Sequence, residues 1–214
     1  MRLRITLFLM VFSLFTHFAR GTPEEDFWKW FEKNDEALFD FEKDQKAVFD
    51  RLTTAMHRVH PSLTFEFSPK HDNQREFVIS ADGIKDAFPK VISLHAAAPK
   101  LPHWTFIRFR PRREPMDVEY SGVSARAKDI QFSIGADGNK AGITLFIPGH
   151  TAQNHKAMTG ITFLMLDQAL GEFDVETKVG FIEVASPDVA PSTKKPLKEL
   201  PKAFDDFISS IKAK

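Results

Sequence analysis

Residues 129–149, DIQFSIGADGNKAGITLFIPG, alternate apolar and polar side chains on either side of Asp137-Gly138-Asn139. A period of two lays one face of a strand against a core. Asp, Gly and Asn tolerate the positive φ of a tight turn. A chain with this stretch must build antiparallel sheet, and the pattern recurs. LTFEFSP (63–69) and REFVISADG (75–83) read as a hairpin closed by KHDNQ, and WTFIRFRPRR (104–113) with MDVEYSG (116–122) reads as another. GEFDVETKVGFIEVA (171–185) reads as one bent strand or two short ones.

Helical spacing dominates elsewhere. Thr22-Pro23-Glu24-Glu25 is a helix start: a cap, a first-position proline and two acids at the positive end of the dipole. Behind it Phe27, Phe31, Leu38, Phe41, Val48, Leu52, Ala55 and Val59 recur at helical steps, with a break expected at Asn34-Asp35 and a stop at His60-Pro61. Residues 84–99, 151–171 and 197–214 read as further helices, the second ending at Gly171. Helices and strands do not alternate strictly, and the strand links are mostly hairpin-length. The expected fold is α+β: a mostly antiparallel sheet, helices packed on one face and a long N-terminal helical segment.

The first 21 residues stand apart. A basic start (MRLR), an apolar run from Ile5 to Phe18 and Ala19-Arg20-Gly21 form a signal-peptide pattern with cleavage before Thr22. The expected organisation is a signal peptide over 1–21, then one α+β domain over 22–214, with a linker-like loop at 186–196 before the last helix. The mature chain is expected in the periplasm or outside the cell, without a transmembrane span, since the apolar run is shorter than the ~20 residues a span needs. Removing Arg2, Arg4 and Arg20 leaves 26 of the 29 basic residues against 29 acidic ones. A slightly acidic chain is poor material for general nucleic-acid binding. With no cysteine there are neither disulfides nor thiolate metal sites. No cofactor and no metal is expected.

Catalytic signatures are missing: no HExxH, GxSxG, Walker loop or GxGxxG. The candidate site rests on Arg108, Arg110 and Arg112, which share one face with Trp104 if 104–113 is a strand. Their guanidinium forks suit a phosphate, carboxylate or sulfate. Glu172, Asp174 and Glu176 make a mirror-image acidic row if GEFDVET is a strand, and cross-strand pairing would then satisfy the arginines. Two functions follow. The first is a non-catalytic exported binding or interaction module for a protein or an anionic small molecule. The second is an envelope hydrolase or transferase in which Arg108 and Arg110 hold an anionic substrate and Glu172, Asp174 or His103 acts as acid or base.

One internal echo joins Phe77-x-Ile79-x-Ala81-Asp82-Gly83-x-Lys85 to Phe132-x-Ile134-x-Ala136-Asp137-Gly138-x-Lys140. It reads either as a duplicated β unit or as two strands ending in the same Asp-Gly turn chemistry. Taken together, FWKWF, LTFEFSP, REFVISADGIKDAFP, the stretch from Ala97 to Arg112 and LGEFDVETKVG resemble a family of uncharacterised bacterial proteins across most of residues 27–205. That resemblance implies one compact domain and a bacterial product, and carries no reaction, ligand or site residue with it.

Overall fold

The computed structural model describes residues 21–189 and 193–212. The expected signal segment therefore lies, but for Gly21, outside the described residues. The chain opens with α1 (Pro23–Lys33), α2 (Asp35–Phe39) and α3 (Gln45–Val59). Thr22 caps α1 in a full capping box with Glu25. The long helical segment breaks at Asn34, as expected, and again at Asp40–Asp44, where a short 3₁₀ turn lets α3 pack back on α1.

Three strands follow, with one helix between the last two: β1 (Thr64–Phe67), β2 (Arg75–Ser80), α4 (Phe88–Ala96) and β3 (Trp104–Arg108). β1 and β2 form the expected hairpin, whereas β3 runs parallel to β2. The hairpin expected between 104–113 and 116–122 is thus absent. Having crossed over through α4, β3 completes its sheet with β2. MDVEYSG instead supplies β4 (Val118–Tyr120), which turns through Ser121 and Gly122, both at positive φ, into β5 (Val123–Ala125).

The second half contains β6 (Gln131–Asp137), β7 (Lys140–Phe146), α5 (His155–Leu170), α6 (Glu172–Lys178), β8 (Val179–Ala185), β9 (Lys195–Pro196) and α7 (Leu200–Lys212). β6 and β7 pair in the expected register around Gly138, and β8 lies parallel to β7. Part of the linker-like stretch is ordered as an edge strand, because β9 pairs with β6. Among the described residues four of the six strand pairings are antiparallel, and the fold is α+β.

Each half therefore repeats one topology: a hairpin, a helical crossover, and a third strand parallel to the second. The sequence echo does not align these repeats. Its first copy lies on β2, the second strand of one hairpin, and its second copy on β6, the first strand of the other. What the copies share is the turn, with Gly83 and Gly138 both at positive φ.

The halves also have separate cores. One gathers Phe27, Trp28, Phe31, Leu52, Phe77 and Trp104, and the other Phe132, Ile143, Leu145, Ile161, Leu166 and Phe204. The abundant phenylalanine goes mainly into the first. Phe31, Phe77 and Phe106 meet at ring-centroid distances of 5.2–6.2 Å. Such contacts add about 0.5–1.5 kcal/mol each beyond burial. The face of the first sheet bearing Phe65, Phe67, Phe77 and Phe106 thus belongs to the N-terminal helices. Glu66 and Val78, paired across β1 and β2, sit on the opposite face.

Candidate functional site

That opposite face borders a cleft of about 970 Å³ between the two halves. Its walls are apolar. Of nine exposed large hydrophobic side chains among the described residues, five line this one cleft: Ile84, Met116, Tyr120, Phe163 and Leu164. Concentrating exposed apolar surface in a concavity is what a binding site does, whereas scattered exposure needs no explanation. Gly160, inside α5, shapes the wall: a Cβ there would stand 2.6 Å from Tyr120 Cε1. Helix-interior glycine costs about 1 kcal/mol relative to alanine, and here it lets the Tyr120 ring lie on the helix.

The polar part of the cleft is a guanidinium surrounded by carboxylates. Arg110 donates from Nε to Glu66 and from Nη1 to Asp82 at 2.8 Å, while Asp167 stands 3.8 Å from the same Nη1. Burial opposes the charge on Arg110, but the Asp82 and Glu66 hydrogen bonds outweigh it and raise its pKa. Asp167 fares differently. Burial, only partly offset by Arg110 and reinforced by the negative charges of Glu172, Glu176 and Asp82, pushes its carboxyl up to about 6. Glu176 pairs with Lys85 at 3.5 Å, and Arg113 with Glu76 at 2.8 Å.

Glu172 fixes the end of the cleft. It is fully buried at the start of α6. Its Oε1 accepts from the backbone N–H groups of Ala81 (3.0 Å) and Gly83 (3.2 Å), and its Oε2 accepts from that of Arg110 (3.1 Å). One side chain from the second half thereby ties together the C-terminal ends of β2 and β3. The surrounding backbone is irregular. Asp82, Gly83, Phe109 and Gly171 all have positive φ, a conformation uncommon outside glycine. The 110–113 segment is further stapled by the Glu172 N–H to the Arg110 carbonyl (3.0 Å) and the Arg113 N–H to the Gln168 carbonyl (2.6 Å).

The expected site residues divide between this cleft, a second depression and the first core. The basic row does not exist as a row: β3 ends at Arg108 and Phe109 turns to φ +63°, so the alternation stops before Arg110. The acidic row is absent too, because GEFDVET forms α6. Arg112 is paired with Asp174 (2.6 Å) and with Asp205 of α7 (2.8 Å), and these contacts, the Asp205 bond foremost, raise its pKa despite burial. Asp174 also takes Lys178 at 2.5 Å. Arg108 is exposed beside a smaller depression of about 350 Å³ and has no ion-pair partner among the described residues. Trp104 is core, packed on Phe31, Phe39 and Phe67. His103 packs at a tilt against Phe39 and contacts Asn73, and lines no part of the cleft. At the cleft Arg110 lines the wall and Glu172 is buried behind it, whereas Arg108, Arg110, Arg112 and Asp174 together line the smaller depression.

Asp167, Asp82, Glu66 and Glu176 escape a reading of motifs because they come from four different elements. The legible sign was the run Ile161–Leu166 in α5, broken only by Thr162 and apolar on too many sides for a helix buried along one stripe. Among the described residues, no group of three or more His, Asp or Glu could hold a metal ion, and no helix is long and apolar enough to cross a membrane. Comparison with known protein families, curated proteins and solved structures finds no match to this chain.

Proposed function

We propose that the mature chain is an exported, non-catalytic binding module whose ligand occupies the cleft between its two halves. The observation that carries this reading is the gathering of five of the nine exposed large hydrophobic side chains in one concavity of about 970 Å³, a size suited to a small organic ligand. Export rests on the signal-peptide pattern of residues 1–21. The alternative, a hydrolase or transferase acting on an anionic substrate, has less support. Of its two arginines, Arg110 already directs its N–H groups at carboxylates and Arg108 lies outside the cleft, as does His103.

The test is a thermal-shift screen of small organic compounds on the mature protein, followed by the hits on Phe163→Ser and Met116→Ser. Both side chains are exposed, so the substitutions should leave folding intact. Loss of stabilisation in both variants supports the cleft. Hits that bind both variants undiminished place the ligand elsewhere and defeat the reading.

A further inference from the structure

We infer that the cleft recognises an organic cation: a small molecule with an ammonium or guanidinium group on an apolar body. The inference rests on the cleft being the binding site and adds the sign of the ligand's charge, opposite to the anion that the arginine-rich sequence suggested. Glu66, Asp82 and Asp167 all converge on Arg110. Glu176 and Arg113 have partners of their own, Lys85 and Glu76. Three carboxylates thus share one guanidinium, and two of them have no cation of their own among the described ion pairs. Buried Glu172 adds a further acid nearby, already satisfied by backbone N–H groups.

An anion entering here would meet this excess and would have to displace carboxylates from Arg110. A cation would complete the set. Its charged group would lie against Asp82 and Asp167, and its body against Phe163, Leu164 and Met116, the exposed apolar wall of the same cavity. The groups facing Asp167 are Arg110 on the loop after β3, Asp82 on the loop after β2, and Glu172 and Glu176 on α6. All but Arg110 disfavour its ionisation, so a bound cation supplies the positive charge the site lacks and drives the Asp167 proton off.

The probes are three molecules of one shape: 4-phenylbutylamine, 4-phenylbutanol and 5-phenylpentanoate, titrated into the mature protein by calorimetry and amide NMR. The amine is expected to bind tightest, by about tenfold or more over the alcohol, as a charge-assisted contact requires. The carboxylate is expected to bind weakest. Amine affinity is expected to fall between pH 7.5 and pH 5, and Asp82→Asn and Asp167→Asn should each weaken the amine while leaving the alcohol unchanged. Equal binding of amine and alcohol, or tighter binding of the carboxylate, with shifts at the cleft, overturns the cation assignment and leaves the cleft reading standing. Shifts confined to residues outside the cleft, or no binding by any probe at millimolar concentration, overturn both.

Discussion

Replacing Glu172 by alanine is the most severe single change the structure points to away from the apolar cores. The carboxylate is fully buried and accepts three backbone N–H groups at 3.0–3.2 Å, from Ala81, Gly83 and Arg110. Hydrogen bonds to a charged group contribute about 1.5–3 kcal/mol each, and a buried donor left without an acceptor costs about 1–3 kcal/mol. The three donors share one acceptor group, so their losses overlap, and about 3–5 kcal/mol is expected overall. Against a typical total of about 5–15 kcal/mol, that is a large fraction. Glu172→Gln separates hydrogen bonding from packing. Its amide oxygen can still serve Ala81 and Gly83, but its NH₂ then faces the Arg110 N–H, donor against donor. A loss of about 1–2 kcal/mol is expected. Urea unfolding of the three proteins at one pH, with the slope checked for constancy, measures both values. If alanine costs no more than glutamine, or either costs under about 0.5 kcal/mol, the three hydrogen bonds do not hold the halves together as described.

Other predictions concern charge and shape. The Asp167 carboxyl is pushed up to about 6 from an ordinary 3.8, so the folded state holds its proton more tightly than the unfolded chain does. Its contribution is neutral below about pH 4 and becomes unfavourable as pH rises through 6. Asp167→Asn should therefore stabilise by about 2–3 kcal/mol at pH 7.5 and hardly at all at pH 4, and a gain independent of pH in chemical denaturation would contradict the assignment. Gly160→Ala should raise thermal stability by up to about 1 kcal/mol through helix propensity while moving Tyr120 and weakening any cleft ligand. Arg75 is buried over the Phe41 ring at 4.3 Å, with Nε and Nη1 unpaired. Arg75→Met should stay within about 1 kcal/mol of the parent, whereas Arg75→Ala should lose about 2–4 kcal/mol by leaving a cavity, both read from urea midpoints.

The hairpins β1–β2 and β6–β7 were legible because their alternation and turn residues are local. The parallel placement of β3 was not, since its partner is chosen by the α4 crossover rather than by a neighbouring turn. GEFDVET misled for a related reason. Seven alternating residues fit a strand, yet Glu172 and Val175, three apart, share the buried side of a short helix. That burial depends on amides supplied from 62 to 91 residues earlier in the chain. Arg110 was legible as a candidate by its chemistry, but the carboxylates that decide the sign of its site come from β1, the loop after β2, α5 and α6.

Two cores joined by a carboxylate, a stapled segment and the packing of Phe173 on Phe88 and Phe109 imply two cooperative units with a seam of lower local stability. Amides within either core should exchange with solvent only on global unfolding. Those of Ala81, Gly83 and Arg110, held by a side chain of the other unit, should exchange by parting of the seam, at a lower free energy. Whatever fills the cleft bridges both units, so occupancy should slow exchange at these three amides first. Their protection would then report binding even for a ligand too weak to shift the melting temperature.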